Sequence, residues 1–276
     1  MGGEWGLMTW EQVRSAAADQ PVVLVPIGCV ETQGPYTPIG FEHHMADRLA
    51  RDVAARSHAL AIPGLPFGNS DTFEPLPGTV YISPRTLAAL YEDVFMAVHR
   101  SGFRKILALA FHVPNQPLVE EAARAVRRAT GMSITWVNPG ALAGVYYKEF
   151  FDDPVAVRGH GAEPGISLAR YLYGTEVPSD AGSGEKAPPK YAGLDVKGAA
   201  LQFRDFPVGR PFTWDELYPQ SGGFGDPTRG SADIGRRLYE RIVDYLTALV
   251  EVVDTSTDGA MPDGATSSGK KRSGSR

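Results

Sequence analysis

Residues 22–47 read VVLVPIGCVETQGPYTPIGFEHHMAD, an apolar run that ends in a loop punctuated by glycine and proline. Val22, Val23, Leu24 and Val25 have the β-branched density of a strand buried on both faces, as in a parallel sheet. Pro26, Gly28, Gly34, Pro35, Pro38 and Gly40 then interrupt regular structure until the helical pattern MADRLARDVAARS begins at Met45. In α/β proteins the loop at the carboxyl end of a central strand is where chemistry is placed. Here that loop carries Glu31, Gln33, Tyr36, Glu42, His43 and His44. Glu31 and Glu42, eleven residues apart across a rigid turn, can bring two hard oxygen ligands to one divalent cation or one water. Equally, Glu31 can cap the turn and Glu42 can open the next helix, where an acid is favoured by the dipole.

The chain around this loop alternates strand and helix. Thr9 to Gln12 forms a capping box that starts a short helix ending before Pro21. A crossover helix is expected at 46–57, a short strand at 59–63, and a second irregular loop over PFGNSDTFEPLPGTVYIS (66–83). Pro84 opens a helix with Leu87, Leu90, Tyr91, Val94 and Val98 on one face and Gly102 at its end. KILALAF (105–111) is the next buried strand, and it delivers His112 to its carboxyl edge, where an imidazole fits a structural or a ligand role equally. A helix at 118–130 and a strand at 132–138 continue the alternation, which defines an α/β protein. RGHGAEPGISLARYLYG (158–174) sets the protonatable His160 and Glu163 on a glycine-flanked turn before a helix, where Glu163 can equally be a first-turn acid. Residues 174–222 form a Pro- and Gly-rich excursion with an isolated Trp214, read as an insertion. A loop and a long amphipathic helix close a single domain at 253, and 254–276 reads as a disordered tail.

Composition excludes several classes. Of 276 residues, 43% are hydrophobic and 21% charged, and the net charge is −5, so the chain has no basic footprint for nucleic acid. No segment approaches the ~20 apolar residues of a membrane span, and the first residues lack a secretory pattern. The single cysteine, Cys29, cannot form an intramolecular disulfide; it sits where the apolar run ends and reads as a packing residue of a reducing, cytoplasmic compartment. Neither GxxxxGK[ST] nor a helix-opening GxGxxG occurs.

Together these stretches resemble the creatininase family of metal-dependent amidohydrolases. GCVETQGPYTPIGFE corresponds to the family's G-x-x-E-Q-H-G-P-H-L-P-x-x-x-D, and PGLPFG and LPGTVYIS to its second loop. GFRKILALAFHVPN matches the strand that ends in N-G-H-x-x-N, HGAEPGIS matches H-A-G-x-x-E-T-S, and FGDPTRGSADIGRR the late G-D-P motif. The resemblance runs from about residue 6 to residue 250. It implies a three-layer α/β/α sandwich with a mostly parallel central sheet, and a homo-oligomer, often a hexamer.

The resemblance also implies one metal site. Glu31 stands at the first ligand Glu, Glu42 replaces the bridging Asp, and His112 matches the ligand His. A second site is impaired: Gln33 replaces its His and Pro114 takes the place of a ligand Glu, and neither is a good donor. Tyr36 also replaces a His, and Gly165 replaces the Glu of H-A-G-x-x-E-T-S. A single Zn2+ or Mn2+ ion on Glu31, Glu42 and His112 is therefore expected, with His160 and Glu163 handling protons. Gln33, Tyr36, His43 and Asn115 are the candidate substrate contacts, with His43 also a substitute ligand. The expected reaction is hydrolysis of a non-peptide C–N bond in a small amide or amidine, cyclic or open-chain. The alternatives are a repurposed homologue performing a condensation, cyclisation or isomerisation, and a noncatalytic subunit.

Overall fold

The central strand β2, Val23–Ile27, is buried at all five positions and pairs in parallel with strands on both sides. The computed structural model describes residues 2–153, 157–182 and 184–256. Its main sheet has five strands in the order β1-β3-β2-β4-β5, where β1 is Gly3–Glu4, β3 Leu60–Ala61, β4 Lys105–Ala110 and β5 Ser133–Val137. Every pairing in it is parallel.

Alternation along the strands divides the core in two. Leu24, Leu107 and Leu109 face helices α2 (Phe41–Arg56), α5 (Pro139–Tyr146), α6 (Gly165–Tyr173) and α8 (Ala232–Thr255). Val23, Val25, Ile27, Ile106 and Ala108 face α1 (Trp10–Ala16), α3 (Pro84–Arg100) and α4 (Gln116–Thr130). Helices thus cover both faces of a parallel sheet, as the expected sandwich requires. Each fully buried Leu or Val of β2 and β4 contributes roughly 1.5–3 kcal/mol of apolar transfer. From β2 the chain crosses to β3 on one side and returns to β4 on the other, so the order reverses between β2 and β4. The crevice at their carboxyl ends is the topological switch point where α/β sheets bind ligands.

The structure departs from the sequence expectations in four places. α2 starts at Phe41, not near residue 46, because Phe41 is buried edge-on against Phe111 at 5.9 Å and draws the first turn into the core. Glu42, His43 and His44 therefore stand on a helix rather than in the loop. The two-residue edge strand β1 carries no periodicity that could have announced it. α5 fills a stretch with little signal, capped by Asn138, whose side chain accepts from the Ala141 N–H at 2.8 Å. The 174–222 excursion holds an antiparallel meander, β6 (Lys190–Tyr191), β7 (Leu194–Lys197), β8 (Ala200–Phe203) and β9 (Phe206–Val208), followed by the short helix α7, Trp214–Leu217. Trp214 is not isolated: with Phe73, Leu217 and Tyr218 it forms a small third core.

Among the described residues no helix is long and apolar enough to cross a membrane. α8 runs two residues past the expected domain end at 253, and the proposed tail lies, from residue 257 on, outside the described residues.

Candidate metal centre

Beyond Ile27, Gly28 lets the first turn of α2 lie directly on the chain, since a Cβ there would stand 2.3 Å from the His43 Cα. This contact sets Glu42 over the loop that carries Glu31. β4 continues past its end through the Phe111 N–H, which donates to the Ile27 carbonyl at 2.9 Å, so the next residue, His112, arrives at the same edge. Asn115 braces the three loops: its Nδ2 donates to the Gly28 carbonyl and its Oδ1 accepts from the Asn69 N–H, both at 2.9 Å.

Glu31, Glu42 and His112 converge as expected, and Cys29 joins them. One donor atom from each of the four lies within 4.8 Å of the others. His112 Nδ1 is 2.7 Å from Glu42 Oε2, and its Nε2 lies 3.0 Å from the Asn69 carbonyl and 3.3 Å from Glu31 Oε2. Because a carbonyl only accepts, Nε2 carries hydrogen and Nδ1 faces the carboxylate. The Cys29 thiol donates to Glu42 Oε2 at 3.1 Å, and the Gln33 amide donates to Glu31 Oε1 at 3.2 Å. Cys29, Glu31 and Gln33, spaced by two, reach one side of an extended segment.

The electrostatics are those of groups held together out of water. Burial raises Glu31 to about 7, against the pull of His112. Burial, the largest single influence, opposes ionisation of Glu42, but the charge and hydrogen bond of His112 together with the Cys29 hydrogen bond and the His160 charge hold it below the usual carboxylate range. For His112, burial favours the neutral ring, yet Glu31 and Glu42 carry it up to about 9. Burial and both carboxylates push the Cys29 thiol up.

A divalent ion fits this donor set. Glu31 Oε2 is buried and accepts no hydrogen bond; its charged neighbour is His112 Nε2 at 3.3 Å, and a cation among the donors would compensate both carboxylates. A ligating imidazole usually anchors its other nitrogen on a carbonyl, and Asn69 supplies one.

His160 lies beside the cluster, within reach of the charges on Glu42 and His112. Its ring stacks on Phe73 at 4.5 Å and packs on Trp214 at 5.0 Å. Nε2 is 2.6 Å from the Thr32 carbonyl, which fixes the tautomer and leaves the lone pair on Nδ1. Burial lowers the pKa, so the ring is neutral at physiological pH. On its outer side His160 borders a cavity of about 230 Å³ whose lining includes Tyr36, Glu185, Gln220, Ser221 and Phe224. Glu185 accepts from the Gln220 and Ser221 N–H groups at 3.1 and 2.9 Å.

The remaining expected residues divide. Tyr36 faces the cavity, and Gln33 touches Glu31. His43 lies against His44, Gly64 and Asp47, and it does not join the donor group. Asn115 is fully buried with its amide committed to backbone, so it shapes the loops and leaves substrate to others. Glu163, expected to share proton handling with His160, turns into the packing of α6: its Oε1 accepts from Ser167 Oγ at 2.5 Å, and burial raises it to about 7. Pro164, the N-cap of α6, follows it, and Glu163 is not among the four converging donors. Sequence reasoning missed Cys29, whose spacing of two from Glu31 was the available signal. It also missed Phe73, Trp214 and the Asn69 carbonyl, for which tertiary contact is the only signal.

Comparison with known proteins agrees with this frame. A mycofactocin precursor peptide peptidase of Mycobacterium tuberculosis (strain CDC 1551 / Oshkosh) is 24% identical over 255 residues, 88% of each chain. A creatinine amidohydrolase of Pseudomonas putida is 23% identical over 159 residues, 55% of this chain and 60% of that relative. A mutant creatininase solved in a Zn–Zn form superposes with a TM-score of 0.72 at 21% identity, over 92% of this chain and 98% of its own; a manganese form of creatininase matches similarly, with a TM-score of 0.70. The family profile described as creatinine amidohydrolase matches residues 6–250. With that span matched, and with the donors at the carboxyl edge of the same sheet, the chain belongs to the creatininase family.

Proposed function

We propose that this protein is a hydrolase with one divalent ion per chain, acting on a non-peptide C–N bond of a small amide or amidine. The observation that carries the reading is the buried Glu31 Oε2, which accepts no hydrogen bond and faces Glu42 and His112. Those three residues would hold the ion, which when bound supplies Lewis acidity at the mouth of the switch point. Similar proteins are named as an amidohydrolase, a peptide peptidase and, in Thermotoga maritima, a 3-dehydro-scyllo-inosose hydrolase, so hydrolysis is the shared class.

The chain's own residues support the rest. His160 is neutral, seated by Phe73 and Trp214, and held by Thr32 so that Nδ1 can take a proton from an attacking group and return it to a leaving nitrogen. Tyr36 and Phe224 enclose a space of about 230 Å³, below the ~300–1,000 Å³ of pockets for drug-sized ligands, which favours a compact substrate over an extended peptide. With His43, Asn115 and Glu163 occupied elsewhere, orientation falls to Tyr36, Gln33 and the 220–225 loop.

Protein purified without chelator should hydrolyse members of a panel of cyclic amides and amidines, and metal depletion should abolish this activity. Turnover of C-terminal peptide substrates in preference to every small amide would overturn the substrate class. Full turnover after verified metal removal would overturn the mechanism.

A further inference from the structure

We propose that Cys29 is the fourth donor of this centre and that its thiolate makes the site select Zn2+ over Mn2+. The inference rests on the one-ion reading above and adds a residue and a metal preference to it.

Cys29 is fully buried, and its Sγ lies 3.1 Å from Glu42 Oε2 within a group whose donors are all within 4.8 Å. A cysteine present only to fill space would face apolar neighbours; this one faces two carboxylates and an imidazole. The second observation is independent of the sulfur. Glu31 Oε2 is buried and accepts no hydrogen bond, with His112 Nε2 3.3 Å away, while its Oε1 is engaged by the Gln33 amide, so Glu31 presents one oxygen inward for a cation. His112 is likewise oriented from behind by the Asn69 carbonyl. Four side chains thus converge from the β2 loop, the first turn of α2 and the end of β4.

The donor type decides the preference. Carboxylate and carbonyl oxygens suit Mn2+ and Mg2+, whereas a thiolate with imidazole suits Zn2+. A coordinating thiol is deprotonated outright, so the Cys29 proton leaves to solvent as the ion binds. His112, which the two carboxylates favour in its protonated form, would give up its Nδ1 proton as well, so that two carboxylates, a thiolate and a neutral imidazole would hold the ion.

X-ray absorption at the zinc edge of the wild-type, zinc-loaded protein should show one sulfur scatterer at about 2.3 Å. Cobalt(II) in the same site should give a near-ultraviolet thiolate charge-transfer band that Cys29→Ser abolishes. In competition titrations Cys29→Ser should lower Zn2+ affinity at least about 10-fold, and Mn2+ affinity by less. Bound zinc with an oxygen and nitrogen shell alone would overturn the role of Cys29 and leave the Glu31, Glu42 and His112 site standing. No bound ion at all would overturn both. Because the zinc-edge measurement uses the unaltered chain, a folding defect in the variant cannot mask the answer.

Discussion

His112 Nδ1 and Glu42 Oε2 lie 2.7 Å apart although 70 residues separate them in the chain, one at the end of β4 and the other on the first turn of α2. His112→Ala removes the imidazole and leaves two buried carboxylates facing each other. Bound metal should fall at least about 10-fold, with activity falling in step, and the metal-free protein should lose about 3–5 kcal/mol of stability. Elemental analysis, turnover and denaturant titration check this; full activity in the variant would remove the metal from the mechanism.

By the resemblance of the motifs, Gln33 and Pro114 take the positions expected to supply donors for a second ion, and neither side chain is a good donor. Gln33→His alone should leave one ion in place, because the Gln33 side chain reaches the donor group through its hydrogen bond to Glu31 Oε1 and not to the other three donors. Gln33→His combined with Pro114→Glu should raise the stoichiometry toward two equivalents. Metal content after dialysis decides it, and two equivalents already present in the wild type would contradict the single-ion reading.

Glu163 makes a pH prediction that is independent of the metal. Its folded pKa is raised to about 7 by burial, from 4.5, so the native state favours the protonated acid. Stability from this group is fully present below pH 4.5 and is lost as pH rises through 7. Glu163→Gln keeps the neutral form, so near pH 8 it should be more stable than wild type by on the order of 3 kcal/mol, with the difference vanishing near pH 4. Parallel stability curves across that range would show that the carboxyl titrates normally.

Val250 and Val253 are buried against the core in the last turns of α8, and the helix ends at Thr255. Deleting 257–276, a polar stretch, should leave the melting temperature and activity unchanged. Deleting from residue 250 instead should destabilise the fold by several kcal/mol, since two core side chains leave. Equal melting temperatures for the two truncations would refute the boundary.

How much of this could be read from the residues follows from what each signal depends on. β2 and β4 announced themselves because a strand buried on both faces is apolar throughout, and Glu31 and His112 followed as the first polar residues beyond them. Glu42 was legible both as a donor and as an acid opening the next helix, and it is the first-turn acid of α2 that also joins the donor group; the start at Phe41 was hidden, because Phe41 joins α2 through its contact with Phe111. The surroundings of Glu163 were hidden for a similar reason: its neighbours Ser167 and Gly230 are brought to it by α6 and the segment before α8. Trp214 looked solitary in the chain because Phe73 and His160, its partners, lie far away in sequence. Cys29 was hidden by its own burial, which is common to packing cysteines and to thiolate ligands.

The donors occupy positions 29–112, keyed to the ends of β2, α2 and β4, while much of the chamber beyond His160 is built by Ala181, Glu185, Gln220 and Phe224 from the excursion and the loop after it. The donor positions are therefore tied to the main sheet and α2, whereas the chamber's lining draws on the excursion, which packs around its own small core. A lineage can exchange the second stretch for another and acquire a new substrate while the ion site passes on intact, so kinship in this fold and likeness of substrate are free to part company.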